Sequence, residues 1–212
     1  MEFTNDVNII NNRKKEIDLL LTNIKDNLDK LKDKNDEEKQ EFILHKINEF
    51  IMMNDLQGAC IPISIINSIL FNKLFKKELI IKYGEITIKT EKYHDIIGFH
   101  CWNEMDNKVT DISISNNLAI QNLPYKVLGK EFISNKCLNN VEINYVENDF
   151  NFILENYLNG YNQELDDYND AIHKTLDLLN SIDKNDKDKE IYKVNLINLI
   201  CEFINNNFIK GK

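Results

Sequence analysis

One short segment of the sequence, Gln57-Gly-Ala-Cys-Ile-Pro62, has the residue types needed for nucleophilic chemistry. Proline is favoured in the first turn of a helix, because its missing N–H costs nothing there and its φ is already helical. Pro62 therefore predicts that Cys60 lies at or just before a helix N-terminus. The helix dipole and unpaired N–H groups favour a thiolate at that position, and the thiolate is the nucleophilic form of cysteine. The alternative interpretation is that Cys60 is a small buried apolar residue, as free cysteines commonly are.

A second segment, residues 99–111, contains a histidine and an aspartate that would activate such a thiol. A tight turn predicted at Asp106-Asn107 sets the register of a hairpin in which Trp102 faces Asp111 and Asp111 lies diagonal to His100. A carboxylate there fixes the tautomer of the imidazole and leaves its other nitrogen free to take a proton from a thiol. A register shifted by one residue would put Asp111 on the opposite face, and the pair would then be ordinary polar residues of a sheet.

The same three residues are also acceptable metal ligands, so a metal site is a second interpretation of the pattern. The helix end and the hairpin explain Cys60, His100 and Asp111 without a metal, and we therefore predict neither a metal nor another cofactor. The four cysteines, at positions 60, 101, 137 and 201, are widely spaced and include no CxxC pair. This spacing indicates free thiols rather than a zinc knuckle or a disulfide framework. Cys101 alternates with His100 along the strand and is expected to point into the core.

The helix after Cys60 and the strands that carry His100 and Asp111 form the predicted centre of the fold. Apolar residues cover nearly all faces of a helix from about Pro62 to Phe75, which predicts that this helix is buried. From about Leu79 the apolar period changes to two, which is typical of strands in an antiparallel sheet. Strands are predicted near residues 86–88, 98–105, 108–114, 125–128 and 141–146.

Amphipathic helices are predicted on both sides of this centre. Apolar residues recur every three or four positions from Arg13 to Asp33, and Asn35 with Glu38 forms a capping box that opens a second helix. We expect these two helices to form an antiparallel hairpin. The apolar stripe is typical of core packing, and binding of a protein partner by the hairpin is the alternative. Two more helices are predicted at residues 165–179 and 191–208.

The predicted fold class is α+β, with a central buried helix packed on an antiparallel sheet and helical extensions at both termini. We divide the chain into an N-terminal helical hairpin (1–55), an α+β core (56–147) and C-terminal helices that pack on the core (148–212). A chain of 212 residues is long enough to bury a substantial apolar interior. The division is made where the hydrophobic period changes.

Charge and hydropathy exclude some classes of partner. The net charge of −9 and a pI near 5.0, with lysines interleaved among acidic residues, argue against nucleic-acid binding. The first residues lack a basic region followed by an apolar stretch, and no run approaches eighteen apolar residues, so neither a secretion signal nor a membrane span is predicted. The expected location is the cytoplasm.

Taken together, the two segments resemble the transglutaminase-like superfamily, a branch of the papain-like cysteine enzymes. The resemblance rests on Gly58-Ala-Cys60 opening a buried helix, His100-Cys-Trp102-Asn-Glu104 on a strand, and Val109-Thr-Asp111 on the next strand. It covers about residues 56–115. It implies that Cys60 is the nucleophile, His100 the general base and acid, and Asp111 the group that orients the imidazole.

The resemblance also suggests residues that contact the substrate. In that superfamily the oxyanion is held by the backbone N–H of the nucleophile and one further donor, for which Gln57 is the candidate here. Trp102 matches the aromatic residue that follows the histidine, with a core-filling indole as the alternative.

The superfamily contains proteases, deamidases, protein cross-linkers, peptide N-glycanases and inactive members, so the fold alone does not choose among them. With no secretion signal and no calcium-loop pattern, we expect an intracellular amide hydrolase, a peptidase or deamidase, that acts on a protein or peptide. The alternative is a catalytically idle domain that serves as a protein-binding module.

Overall fold

The computed structural model describes residues 3–54, 56, 60–90, 96–114, 141–148 and 187–209. The fold is α+β, as the sequence predicts, with a central helix on an antiparallel sheet and helices towards both ends of the chain. The predicted strand at 125–128 and the predicted helix at 165–179 lie outside the described residues. The elements are α1 (Phe3–Lys30), α2 (Asp36–Met53), α3 (Cys60–Phe75), β1 (Ile80–Thr90), β2 (Ile96–Met105), β3 (Lys108–Thr110), β4 (Val141–Glu147) and α4 (Lys187–Ile209).

Helix α3 is the central element because it packs in two directions at once. Ile63, Ile66 and Leu70 belong to an apolar cluster shared with the other helices, whereas Ile61 and Ile65 pack on Cys101 of β2. The prediction of a buried helix with apolar residues on nearly every face is confirmed. This double packing fixes the N-terminus of α3 against the sheet.

The four strands form one antiparallel sheet in the order β3-β2-β1-β4. The predicted hairpin register is confirmed, with Met105 opposite Lys108 and Asn103 opposite Thr110. The turn residues Asp106 and Asn107 have φ values of 51° and 61°, the left-handed conformation that a two-residue hairpin turn requires. The turn chemistry in the sequence thus sets which side chains share a face.

The third predicted strand, 108–114, is shorter in the structure and ends at Thr110. The Asp111 side chain accepts hydrogen bonds from the backbone N–H groups of Ser113 and Ile114, at 3.1 and 3.2 Å. Short polar side chains of this kind compete with the strand ladder for backbone donors. The chain therefore turns at Asp111 instead of continuing along β2.

Strands β1 and β4 approach each other closely at Gly84, which lies between His100 on one side and Glu147 on the other. A Cβ added at Gly84 would overlap the carbonyl group of Val146. The glycine is thus required by the close approach of the two backbones.

The helices share one apolar core that runs from α1 to α4 and includes Met105 and Ile112 from the hairpin region. Helix α1 packs most extensively on α4, and Asn205 of α4 donates a hydrogen bond to the Leu20 carbonyl at 3.0 Å.

The predicted capping box is confirmed, since the Asn35 side chain accepts from the Glu38 N–H and the Glu38 carboxylate accepts from the Asn35 N–H. The predicted division of the chain at 55 and 147 stays a prediction. None of the helices within the described ranges has the length and apolar character to cross a bilayer.

Candidate active site

Cys60 is the first residue of α3, and Pro62 lies in the first turn of that helix. The side chain is partly buried and packs against the cluster of Ile61, Ile65 and Cys101. It is also close enough to His100 to help raise the pKa of the imidazole. The prediction that Cys60 lies at a helix N-terminus is confirmed, and the proton exchange between its thiol and His100 stays a prediction.

His100 contacts Asp111 directly, and both side chains are cut off from water. The Nε2 atom of His100 lies 2.6 Å from Oδ2 of Asp111, and the exposed fractions of the residues are 0% and 3%. An ionised carboxylate only accepts hydrogen bonds, so Nε2–H is the donor. With Nε2 bonded to Asp111, Nδ1 is the ring nitrogen that would exchange a proton with the Cys60 thiol in the predicted site. The predicted contact between Asp111 and His100 is confirmed.

Asp111 is held by more donors than the sequence suggests. Oδ1 accepts from the N–H and O–H of Ser113 and from the N–H of Ile114, at 3.1, 2.9 and 3.2 Å. Oδ2 accepts from His100 and from the hydroxyl of Tyr145, the latter at 2.9 Å. Five hydrogen bonds thus replace the water that a buried carboxylate loses.

Sequence reasoning missed Tyr145, although it correctly placed a strand at its position. Tyr145 lies on β4, opposite Ile86 of β1 and two strands away from β2. Its ring packs on that of Trp102, with centroids 5.0 Å apart and planes inclined by 58°. The pairing of β4 with β1 carries no local signal, so no pattern near residue 145 indicates this contact.

Electrostatics favour a charged pair at His100 and Asp111. Burial lowers the pKa of His100, but the charge of Asp111, its hydrogen bond, and the hydrogen bond and charge of Cys60 together raise that pKa to about 10. Burial raises the pKa of Asp111, but the charge of His100 and the hydrogen bonds from His100, Tyr145 and Ser113 hold it below its usual value. The site therefore holds an imidazolium and a carboxylate at neutral pH.

Polar contacts beneath the thiol fix α3 against β2. Ser64 donates to the Cys101 carbonyl at 3.3 Å, and the Asn103 amide donates to the Ser64 carbonyl at 3.0 Å. Cys101 is fully buried, as predicted, and burial raises the pKa of its thiol well above the usual value. Of the two neighbouring thiols, only that of Cys60 is partly exposed.

The remaining predicted site residues have different outcomes. Gln57 lies outside the described residues. Trp102 is 1% exposed, so it fills the interior beside Tyr145, and its Nε1 has no hydrogen-bond partner among the described residues. Its role in substrate binding stays a prediction. Within the described ranges, no group of three or more histidine, cysteine or acidic side chains is arranged to hold a metal ion.

Comparison with known proteins gives no family assignment. No family model matches the chain, and no curated protein matches it. A crystal structure described as that of a genomics target aligns with 58% of this chain and 70% of its own, at 14% sequence identity and a TM-score of 0.37. We infer neither fold nor function from a likeness at this level.

The chemistry of the site follows from its own geometry. A partly exposed cysteine at a helix N-terminus lies beside a buried imidazole, which is hydrogen-bonded to a buried carboxylate. Such an arrangement can transfer a proton between sulfur and the group that leaves an attacked carbonyl.

Proposed function

We propose that the protein is a cysteine-dependent acyl-transfer enzyme that hydrolyses amide bonds, as a peptidase or deamidase of the transglutaminase-like kind. Cys60 is the nucleophile, His100 the general acid and base, and Asp111 the group that orients the imidazole. The observation that carries the proposal is the buried hydrogen bond between His100 and Asp111, with Cys60 at the N-terminus of α3 beside the same imidazole.

In the proposed reaction the Cys60 thiolate attacks the carbonyl carbon of the substrate amide. The C–N bond then breaks, the His100 imidazolium gives its proton to the departing amine or ammonia, and a thioester remains on Cys60. Water attacks this thioester while His100 takes one of its protons, and the acid is released as the C–S bond breaks. Asp111 stays ionised throughout and stabilises each imidazolium that forms.

The oxyanion of each tetrahedral intermediate needs donors close to Cys60. The first N–H groups of a helix have no partner within the helix, so the N–H of Cys60 is the first proposed donor. The side chain of Gln57 is the second. The proposed substrate is a protein or peptide, which reaches the exposed part of Cys60 while His100 remains dry.

The proposed location is the cytoplasm, where thiols stay reduced.

The experiment that tests the proposal uses p-nitrophenyl acetate, an activated ester that needs no knowledge of the natural substrate. We expect a burst of p-nitrophenol and an acetyl group on Cys60, located by peptide mass spectrometry after an acid quench. Cys60→Ala should abolish the burst. His100→Gln, which keeps a donor for Asp111 but carries no charge, should reduce it by roughly 10²–10⁴-fold.

Two outcomes would count against the enzyme. Acetylation spread evenly over the cysteines would show that Cys60 has no special reactivity. A burst that is unchanged in His100→Gln would show that the imidazole takes no part. Either result would favour an idle domain that binds a protein partner.

A further inference from the structure

Asp111 receives its hydrogen bonds in two groups with different origins. The donors to Oδ1 come from Ser113 and Ile114, which follow Asp111 directly in the chain. They form a local turn and would hold Oδ1 whether or not His100 were present. Oδ2 accepts from His100 and from Tyr145, both of which are distant in sequence. The oxygen that faces the imidazole is thus the one held by tertiary structure.

Tyr145 is well fixed for this contact. Its ring lies against the buried indole of Trp102, and its strand is hydrogen-bonded to β1 around Gly84. A buried tyrosine hydroxyl needs an acceptor, and many carbonyl groups would serve as one. Here the acceptor is the oxygen that also accepts from His100 Nε2–H. Core packing of the Tyr145 ring alone does not explain why its hydroxyl donates to this oxygen rather than to a carbonyl group.

We propose that Tyr145 is a positioning residue, whose hydroxyl keeps the Asp111 carboxylate ionised and directed at Nε2 of His100. A hydrogen bond donated to a carboxylate stabilises its charged form over its neutral form. Without it, Asp111 takes up a proton more readily, and a protonated carboxyl no longer stabilises the imidazolium. The catalytic consequence rests on the proposed function, whereas the effect on the carboxylate itself does not.

The titratable groups that surround Asp111 are known within the described residues. His100 on β2 and Tyr145 on β4 contact the carboxylate, the thiol of Cys60 on α3 influences His100, and the thiol of Cys101 on β2 is influenced by Asp111. At acidic pH the imidazole is charged and the Cys101 thiol is neutral, because the pKa values of both groups are raised. Titration of the site below neutral pH therefore reports on Asp111.

The test compares Tyr145→Phe with the unmodified protein by ¹⁵N NMR of labelled histidine, as the pH is lowered. The histidine ¹⁵N signals that mark the His100–Asp111 pair should disappear at a pH about one to two units higher in Tyr145→Phe, because the carboxylate loses a hydrogen bond that favours its charged form. Tyr83→Phe removes a hydroxyl from the opposite face of β1 and is the matched control. It should leave the midpoint unchanged.

A second variant keeps the test decisive if Tyr145→Phe folds poorly. A ring-fluorinated tyrosine introduced at position 145 keeps the shape of the side chain and is a stronger donor, so the midpoint should move to lower pH. If neither variant moves the midpoint relative to Tyr83→Phe, Tyr145 is only a packing residue and the inference is wrong.

The acetylation assay separates this inference from the proposed function. Tyr145→Phe should lose acetylation of Cys60 at acidic pH. The acidic side of its pH–rate profile for acetylation, the acid limb, should be displaced by the same amount as the NMR midpoint. A shifted NMR midpoint in Tyr145→Phe, together with no acetylation of Cys60 in the unmodified protein, would support the positioning role of Tyr145 and contradict the proposed enzyme activity. Normal acetylation with an unmoved acid limb in Tyr145→Phe would overturn the role of Tyr145 alone.

Discussion

Asp111 is a charged side chain with almost no contact with water. Taking a carboxylate out of water costs several kcal/mol, and a buried partner charge offsets this only when the remaining lone pairs are also satisfied. The five hydrogen bonds to Asp111 meet that condition. A group maintained at such a cost beside a histidine and a thiol is typical of a functional site.

Replacing Asp111 with asparagine should therefore affect both activity and stability. In either orientation, the N–H₂ group of the asparagine amide would face hydrogen-bond donors that now bind a carboxylate oxygen. The substitution would also remove the charge that keeps His100 protonated. We expect acetylation of Cys60 to fall roughly 10²–10⁴-fold. The free energy of unfolding should fall by about 1–3 kcal/mol, measured by urea denaturation.

Asp106→Asn is the matched control, since Asp106 lies in the exposed turn of the same hairpin and pairs with Lys77 on the surface. It should change the stability by less than about 0.5 kcal/mol and leave acetylation intact. Equal effects of the two substitutions would show that Asp111 has no special role.

The residues of the site were predictable where the chemistry is local. Pro62 marks the helix N-terminus at Cys60, and the turn at Asp106-Asn107 sets the register that brings Asp111 to His100. Tyr145 was not predictable, because its contact depends on a strand pairing across the sheet. The donors to Oδ1 were missed for another reason, since an alternating pattern predicts a strand where the Asp111 side chain makes a turn.

At the scale of elements, the site depends on the close approach of β1 and β4. Gly84→Ala would place a methyl group against the Val146 carbonyl, so the two strands would have to separate or shift. We expect a loss of about 1–3 kcal/mol in the free energy of unfolding. Because β4 carries Tyr145, the acid midpoint of the His100–Asp111 pair should also rise, towards that of Tyr145→Phe.

Glu85→Ala serves as the control for this change, because Glu85 is an exposed neighbour of Gly84 on the same strand. It should leave both the stability and the acid midpoint nearly unchanged. A Gly84→Ala protein that is as stable as the unmodified chain would contradict the packing described for β1 and β4.

Elements with strong local signals were predicted well. The capping box at Asn35 gives the start of α2, and the alternation in residues 141–146 gives β4. Helix α1 begins ten residues earlier than its apolar stripe suggests, at Phe3 rather than Arg13. The added turns are rich in asparagine, which has weak helical propensity, so the sequence there gives little sign of a helix.

At the scale of the whole molecule, packing between distant helices was beyond prediction. Helix α1 lies against α4, which follows it by more than 150 residues (from Lys30 to Lys187). Amphipathic stripes show that each helix buries one face, but not which partner covers it.

The buried pair gives the whole protein a defined dependence of stability on pH. The pKa of His100 rises from 6.5 to about 10 on folding, so its stabilisation is complete below pH 6.5 and is lost as the pH rises through 10. The pKa of Asp111 falls below 3.8 on folding, so its stabilisation is present above that pH and is lost on further acidification.

The unfolding free energy, compared between the unmodified protein and Asp111→Asn, isolates this contribution from other titrating groups. The difference should be largest near pH 5–6, at about 1–3 kcal/mol, and should be smaller by pH 10 because His100 loses its charge. A difference that stays constant over this range would show that His100 is not protonated in the folded state.

The central claim, that Cys60 is a nucleophile activated by His100, is tested most directly by the rate of iodoacetamide alkylation at each of the four cysteines at mildly acidic pH. A thiol beside an imidazolium and at a helix N-terminus reacts as a thiolate under these conditions, whereas ordinary thiols do not. We predict that Cys60 is labelled at least about tenfold faster than Cys137 and that His100→Gln removes most of this advantage. Equal labelling of Cys60 and Cys137 in the folded protein would contradict the account.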